Sequence, residues 1–382
     1  MGSPTHFYVD PTVASDGGDG SLASPWTRAD GQVEQYAMDT GTLDTTHGVQ
    51  INIKSGTRHT TLNATRWSSG WSPQPHYHIT FRGYTSSAND GGRADLDWGG
   101  TSSTVFSPNE NYCEFIDCDL KDWANGTTTP SAYTLFTNCS FESSISSSSG
   151  VIAASPTTSA TTYVNCRFDL TNANNGSDNS CGITLSAGRL IGCYVKTDAR
   201  TAVRFNNSNG FISDCVINHD CADANGIGIF LDTRGCVVNN TSIYNRGTKF
   251  GTAFYNNSDY THYIRKCYAE NFTNMFESNA HEHMFGWFHN YYYNCTNLFA
   301  NADYAPRHQI GNTQLLLQSA FNDAAGGDLT AVTDDEQDIY LGDPDGGSLN
   351  RHYFTPGALG ASAAGGGGGS GKKYTSGPGG LC

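Results

Sequence analysis

Phe115-Ile116-Asp117-Cys118-Asp119-Leu120, Phe136-Thr137-Asn138-Cys139-Ser140-Phe141 and Tyr163-Val164-Asn165-Cys166-Arg167-Phe168 are three copies of one short pattern. An apolar residue precedes an Asp, Asn or Gly, a Cys follows at once, and a second apolar residue stands two positions further on. The pattern returns at Leu190-Ile191-Gly192-Cys193-Tyr194-Val195, Ile212-Ser213-Asp214-Cys215-Val216-Ile217, Ile264-Arg265-Lys266-Cys267-Tyr268-Ala269 and Tyr293-Asn294-Cys295. In one further copy, Val238-Asn239-Asn240-Thr241-Ser242-Ile243, Thr replaces the Cys. The steps between successive Cys positions, Thr241 included, are 21, 27, 27, 22, 26, 26 and 28 residues. A step of this size marks a solenoid, whose repeats bury their apolar faces only against their neighbours.

The apolar positions alternate over short runs rich in Val, Ile, Phe and Tyr, so the repeating units are strands. Asp117, Asn138, Asn165, Gly192, Asp214, Asn240 and Asn294 occupy the place before the Cys, and Lys266 is the exception. Asn, Asp and Gly enter the left-handed backbone region most cheaply, so this place reads as a tight bend between two strands. Cys118, Cys139, Cys166, Cys193, Cys215, Thr241, Cys267 and Cys295 then share one phase of every rung. A free Cys behaves as a small apolar residue and suits a narrow core, so these residues are expected to stack inside. The fold class that follows is all-β: a single-stranded, right-handed parallel β-helix, with an N-terminal cap and a Gly-rich C-terminal tail.

Composition narrows the rest. The formal charge of −15 argues against a nucleic-acid groove or an anionic membrane as partner. No apolar run approaches membrane-spanning length. The chain has 12 Cys, yet neighbours on the ladder repeat at about 4.8 Å and need a particular Cβ orientation to bond, so reduced buried thiols are expected. Cys113, Cys181, Cys221, Cys236 and Cys382 fall off the ladder, and none forms a CxxC pair that would suggest zinc. No cofactor is expected.

Four segments follow. Residues 1–48 hold a first strand and a cap, in which 27–39 read as a short amphipathic helix. Residues 49–320 form the β-helix, with Gly83 and Asn312 at bends. Residues 321–361 close it, and the Gly-rich residues 362–382 form an assembly tail. The opening Tyr8-Val9-Asp10-Pro11, Gly20-Ser21 and Ser24-Pro25-Trp26 resembles the start of right-handed parallel β-helix proteins of the pectate-lyase-like superfamily. The Asn-Cys rungs and Phe354-Thr355-Pro356-Gly357-Ala358-Leu359-Gly360-Ala361 carry the resemblance across roughly residues 7 to 361. It implies the fold; that superfamily includes lyases, hydrolases, tailspikes and inert structural parts.

Candidate chemistry is sparse. Asp198, Arg200 and Arg204 fall in one rung, and Asp220, Asp223, Asp232 and Arg234 in the next. Asp198, Arg204 and Asp232 are the weak catalytic candidates, because glycan cleavage requires carboxylates at a set separation or an acid beside a base. His281 and His283 share one strand face and are weak metal candidates, with no third ligand evident. The aromatic group Phe285, Trp287, Phe288 and Tyr291 to Tyr293 fits a wide core, a subunit contact or sugar stacking.

The exterior-type polar surface, the absence of an export signal and the Gly-rich tail lead to one expectation: a structural protein of a tailed-bacteriophage virion. It would be a capsid decoration, cement or head-fibre part, made in the host cytoplasm, trimeric, and anchored to other virion or capsid proteins through its C-terminal region. The alternatives are a tailspike-like polysaccharide lyase or glycoside hydrolase acting on bacterial surface glycans, and a glycan-binding module without turnover.

Overall fold

The structure, a computed structural model, describes the chain between residues 4 and 331; residues 14–17, 28–47, 60–78, 98–112, 122–132, 143–151, 154–160, 171–180, 301–307, 332–382 and several shorter stretches are outside the description. The expected helix over 27–39, the bend at Asn312, and His281, His283, Arg234, Cys382 and the tail all fall on or within undescribed stretches.

Among the described residues there is no helix, and three parallel sheets carry the fold. The first has 12 strands, from Thr5–Val9 to His308–Ile310. The second has 11, from Arg58–His59 to Gln314–Leu315, and the third has seven, from Ile152–Ala153 to Asn297–Phe299. Within each sheet every strand pairs with its counterpart one repeat away, so the chain coils as a parallel β-helix. One rung runs through Arg189–Ile191, turns at Gly192, continues as Tyr194–Thr197, and passes into Thr201–Asn207 before the next rung opens at Phe211–Ser213.

The bend is the sharpest local feature. Asp117, Asn138, Asn165, Asp214, Asn240, Lys266 and Asn294 have φ between 47° and 57°, and Gly192 has 63°. Each is therefore left-handed, including Lys266, for which that region is costly. The bend does not interrupt the ladder: Asn138 N donates to Val164 O at 3.0 Å, Asn165 N to Ile191 O at 2.9 Å and Gly192 N to Ser213 O at 2.9 Å. Asn side chains add a second ladder outside, as Asn240 Nδ2 donates to Asp214 Oδ1 at 2.5 Å.

Behind each bend the ladder residue points inward. Cys118, Cys139, Cys166, Cys193, Cys215 and Cys267 are at most 1% exposed, and Cys295 is partly buried. Each thiol reaches the carbonyl two residues back: Cys166 Sγ to Val164 O at 3.4 Å, Cys215 Sγ to Ser213 O at 3.1 Å. Most also reach a carbonyl one rung earlier, as Cys166 does to Phe136 O at 3.5 Å and Cys193 to Tyr163 O at 3.4 Å. Thr241 Oγ1 donates to Asn239 O at 2.9 Å, which explains why Thr can stand in this column. All the described thiols are unbonded to one another. Burial pushes Cys181 up to about 11 and Cys267 up to about 12, so these thiols stay protonated.

The core grows by stacking like on like. Phe81, Phe115, Phe136 and Tyr163 form one column with centroids 4.8, 5.0 and 5.1 Å apart, close to the rung spacing. Phe141 and Phe168 stack at 4.8 Å beside it. Phe7 stacks on Trp26 at 4.9 Å where the rungs begin. Further along, the third sheet supplies Ile183, Val203, Ile229, Phe254 and Phe276 in register. The sequence assigns Gly83 to a bend, and the structure corrects this: Gly83 lies within the strand Ile79–Tyr84, paired with Ile53, and φ is left-handed instead at Asn89 and Gly91. Position 83 requires glycine because a Cβ would strike the Gly92 carbonyl.

Two substitutions test the bend and its ladder. Cys193→Thr keeps a small donor in the column and costs under about 1.5 kcal/mol in denaturant unfolding, whereas Cys193→Asp buries a charge and costs roughly 4 kcal/mol or more. Lys266→Asn relieves a left-handed Lys and raises stability by roughly 0.5–1 kcal/mol in the same measurement.

Candidate functional site

The third sheet is where side chains of mixed chemistry line up outside. Alternation turns Val203, Ile229, Phe254 and Phe276 inward and leaves the next residue of each strand outside. Register therefore stacks Thr184, Arg204, Phe230, Tyr255 and Glu277 in one outer column. A second column holds Thr201, Ile227, Thr252, Asn274 and Asn297.

In the first column Arg204 Nη2 meets Asp232 Oδ2 at 2.6 Å, and its guanidinium lies 5.1 Å from the Phe230 ring centroid. Phe230 stacks on Tyr255 at 5.1 Å. Asn257 Nδ2 donates to Asp232 Oδ1 at 3.1 Å, and Asn279 donates to the Tyr255 hydroxyl. Burial, then the negative charges of Glu277 and Asp232, push the Tyr255 phenol up, so it remains neutral.

Beside the column runs a cleft of about 280 Å³, bordered by Arg200, Asn225, Thr252, Tyr255, Asn274 and Glu277 among others. From the Arg200 rung to the Glu277 rung is three steps, roughly 14 Å at about 4.8 Å each. At one end Arg200 Nε lies 3.7 Å from Asp223 Oδ2 and 3.5 Å from Asn225 O. At the other, Thr252 Oγ1 donates to Glu277 Oε2 at 2.7 Å, and Asn274 Nδ2 lies 3.4 Å from the same oxygen. Asn297 Nδ2 donates in turn to Asn274 Oδ1 at 2.9 Å.

The structure brings Arg204 and Asp232 together, and Asp198 lies before the strand Thr201–Asn207 that carries Arg204. With Asp232 held by Arg204 and Asn257, the three weak candidates do not converge. Asp223 pairs with Arg200 instead. No group of three or more His, Cys, Asp or Glu able to hold a metal occurs among the described residues. Tyr291 is buried, and Tyr292 packs against the core. Tyr255, Thr252, Asn274 and Glu277 were not singled out in the sequence. The available signal was the repeat itself, since Arg204, Phe230, Tyr255 and Glu277 recur at steps of 26, 25 and 22 residues.

Two buried histidines lie away from the cleft. His262 Nε2 is 2.7 Å from Ser258 Oγ, but its Nδ1 accepts the Cys236 N–H at 3.3 Å. The proton of the neutral ring is therefore on Nε2, so this pair is not a base and nucleophile. His219 Nε2 donates to Ala199 O at 2.7 Å, and burial lowers both histidines to about 4.

No family model matches the chain, and no curated protein matches it. Among solved structures it is similar to the pectate lyase Pel9A, at 12% identity and TM-score 0.45, covering 83% of this chain and 78% of that one. It is likewise similar to a rhamnogalacturonan lyase, at 12% identity and TM-score 0.45, covering 90% of this chain and 94% of that one.

The two histidines generate a pH dependence. Their folded values lie below the ordinary 6.5, so the unfolded chain binds more protons between those values and stability falls as pH drops from 6.5 towards 4. Each contributes a loss of up to roughly 3 kcal/mol over that window. Urea unfolding at stepped pH is expected to show this slope, and to show about half of it in His219→Gln.

Proposed function

We propose that this protein is a rigid structural rod that contacts glycans through the cleft of its third sheet, without turning them over. The observation that carries this reading is the cleft's composition. Amide groups of Asn274 and Asn225 and the carboxylate of Glu277, held by Thr252, stand beside Tyr255, the last ring of an outer aromatic stack, along three rungs. Sugars present the matching chemistry: hydroxyls that donate and accept, and apolar C–H faces that pack on rings. The ion pairs nearby favour binding over cleavage, and Glu277, which belongs to neither, is a carboxylate bonded to Thr252 and Asn274. Arg204 and Asp232 neutralise each other, as do Arg200 and Asp223.

The rod itself supports a structural role. Successive rungs share backbone hydrogen bonds along three sheets, so a cleft on one face is held in fixed geometry. In this reading the protein serves on a virion, as a decoration or fibre part in trimeric form, and the cleft brings the particle to a bacterial surface glycan. The alternative in which the same face cleaves the polymer predicts new chain ends.

Full-length protein incubated with bacterial surface polysaccharides is expected to bind saturably on a biosensor and to release no reducing or unsaturated ends. Tyr255→Ala is expected to weaken binding at least about tenfold, near 1.4 kcal/mol, with an unchanged circular-dichroism spectrum. Accumulating ends would replace the binding role with a lyase or hydrolase.

A further inference from the structure

Glu277 sets a condition on what the cleft accepts. Its carboxylate is half-buried, faces the cleft, and receives its hydrogen bonds from two neutral groups, the Thr252 hydroxyl and the Asn274 amide. Both donors meet the same oxygen, Oε2. Among the described residues no Lys, Arg or His pairs with it. The charge therefore remains exposed to whatever lies in the cleft, and Oε1 retains lone pairs for an incoming donor. The cation at the opposite end, Arg200, is three rungs away and already faces Asp223. The whole chain carries a formal charge of −15, which adds to the same field.

From this we infer that Glu277 is the specificity-determining residue of the cleft, and that it selects neutral glycans and excludes uronate polymers. The inference rests on the glycan reading above and names the substrate class within it. A carboxylate accepts strongly from a pair of sugar hydroxyls, because charge-assisted hydrogen bonds are the stronger kind. A polyuronate instead brings an anion to each ring and places one of them beside Glu277, where like charges meet in a cleft with reduced solvent. Rejection of the wrong ligand by repulsion is then as much a part of recognition as attraction of the right one. Tyr255, kept neutral, adds a ring surface indifferent to the ligand's charge.

The test uses full-length protein on a biosensor and three polymers: alginate, polygalacturonate and hyaluronate. Each is presented in native form and after chemical reduction of its carboxyl groups, so that the pairs differ in charge and share linkage. Wild type is expected to bind at least one reduced polymer at least tenfold more tightly than its native partner. The ratio should narrow with added salt. Glu277→Gln keeps the shape and the Thr252 contact, and should bring the ratio within about threefold while the reduced polymer still binds. A native polymer that binds wild type as tightly as its reduced form, or a ratio unchanged in Glu277→Gln, overturns the assignment to Glu277 and leaves the glycan reading standing. Binding of none of the six overturns both.

Discussion

The structure depends on one backbone constraint: from Asp117 onward, the rungs turn a corner through a single left-handed residue that stays in the hydrogen-bond ladder. The bend at Asn138, Asn165 or Gly192 donates its N–H to the next rung, so the corner belongs to the ladder. The residue after the bend must then be small, point inward and give a proton to nearby carbonyls. Cys meets all three conditions, and Thr241 meets them in the same column. The thiol column is thus a consequence of the corner.

Fixed corners fix register, and register turns a one-dimensional repeat into columns. Inside, this produces stacks of rings spaced by the rungs themselves, with Phe81, Phe115, Phe136 and Tyr163 nearly parallel in succession. Outside, it places side chains some 25 residues apart in sequence at neighbouring positions. The interior is not uniformly apolar. In the later rungs the inward column Leu185, Phe205, Leu231 passes into Asn256 and Ser278, which bond to each other at 3.2 Å. Buried polar groups of this kind must find partners. Ser258, His262 and the Cys236 amide provide the rest of that network.

The candidate site has the same origin. No short motif builds it, because its residues come from four successive rungs and meet only through register. Arg204, Phe230 and Tyr255 form a continuous strip in which a cation caps a stack of two rings. The cleft next to it runs parallel to the solenoid axis, the direction in which a linear polymer would lie. A site of this kind presents a repeating surface, in which neighbouring rungs differ in the charge they carry.

How much of this was legible in the residues follows from distance along the chain. The bend, the ladder and the sheet-forming runs are local: Asn165-Cys166 states its own backbone demand, so the coil could be read from the sequence. Gly83 was misread because a glycine needed for close approach looks the same in sequence as one needed for a turn. Lys266 shows the reverse, a residue with no local preference for the bend that the stacked rungs nevertheless hold there. Asp198 was grouped with Arg204 by proximity in sequence, whereas Asp198 precedes the strand and Arg204, within it, meets Asp232. Tertiary structure alone decided that Arg204 is neutralised by Asp232 and that Tyr255 and Glu277 share a cleft. The physical reason is that backbone conformation is set within a few residues, while side-chain partnership depends on the exact step between rungs, and those steps vary as loops lengthen and shorten.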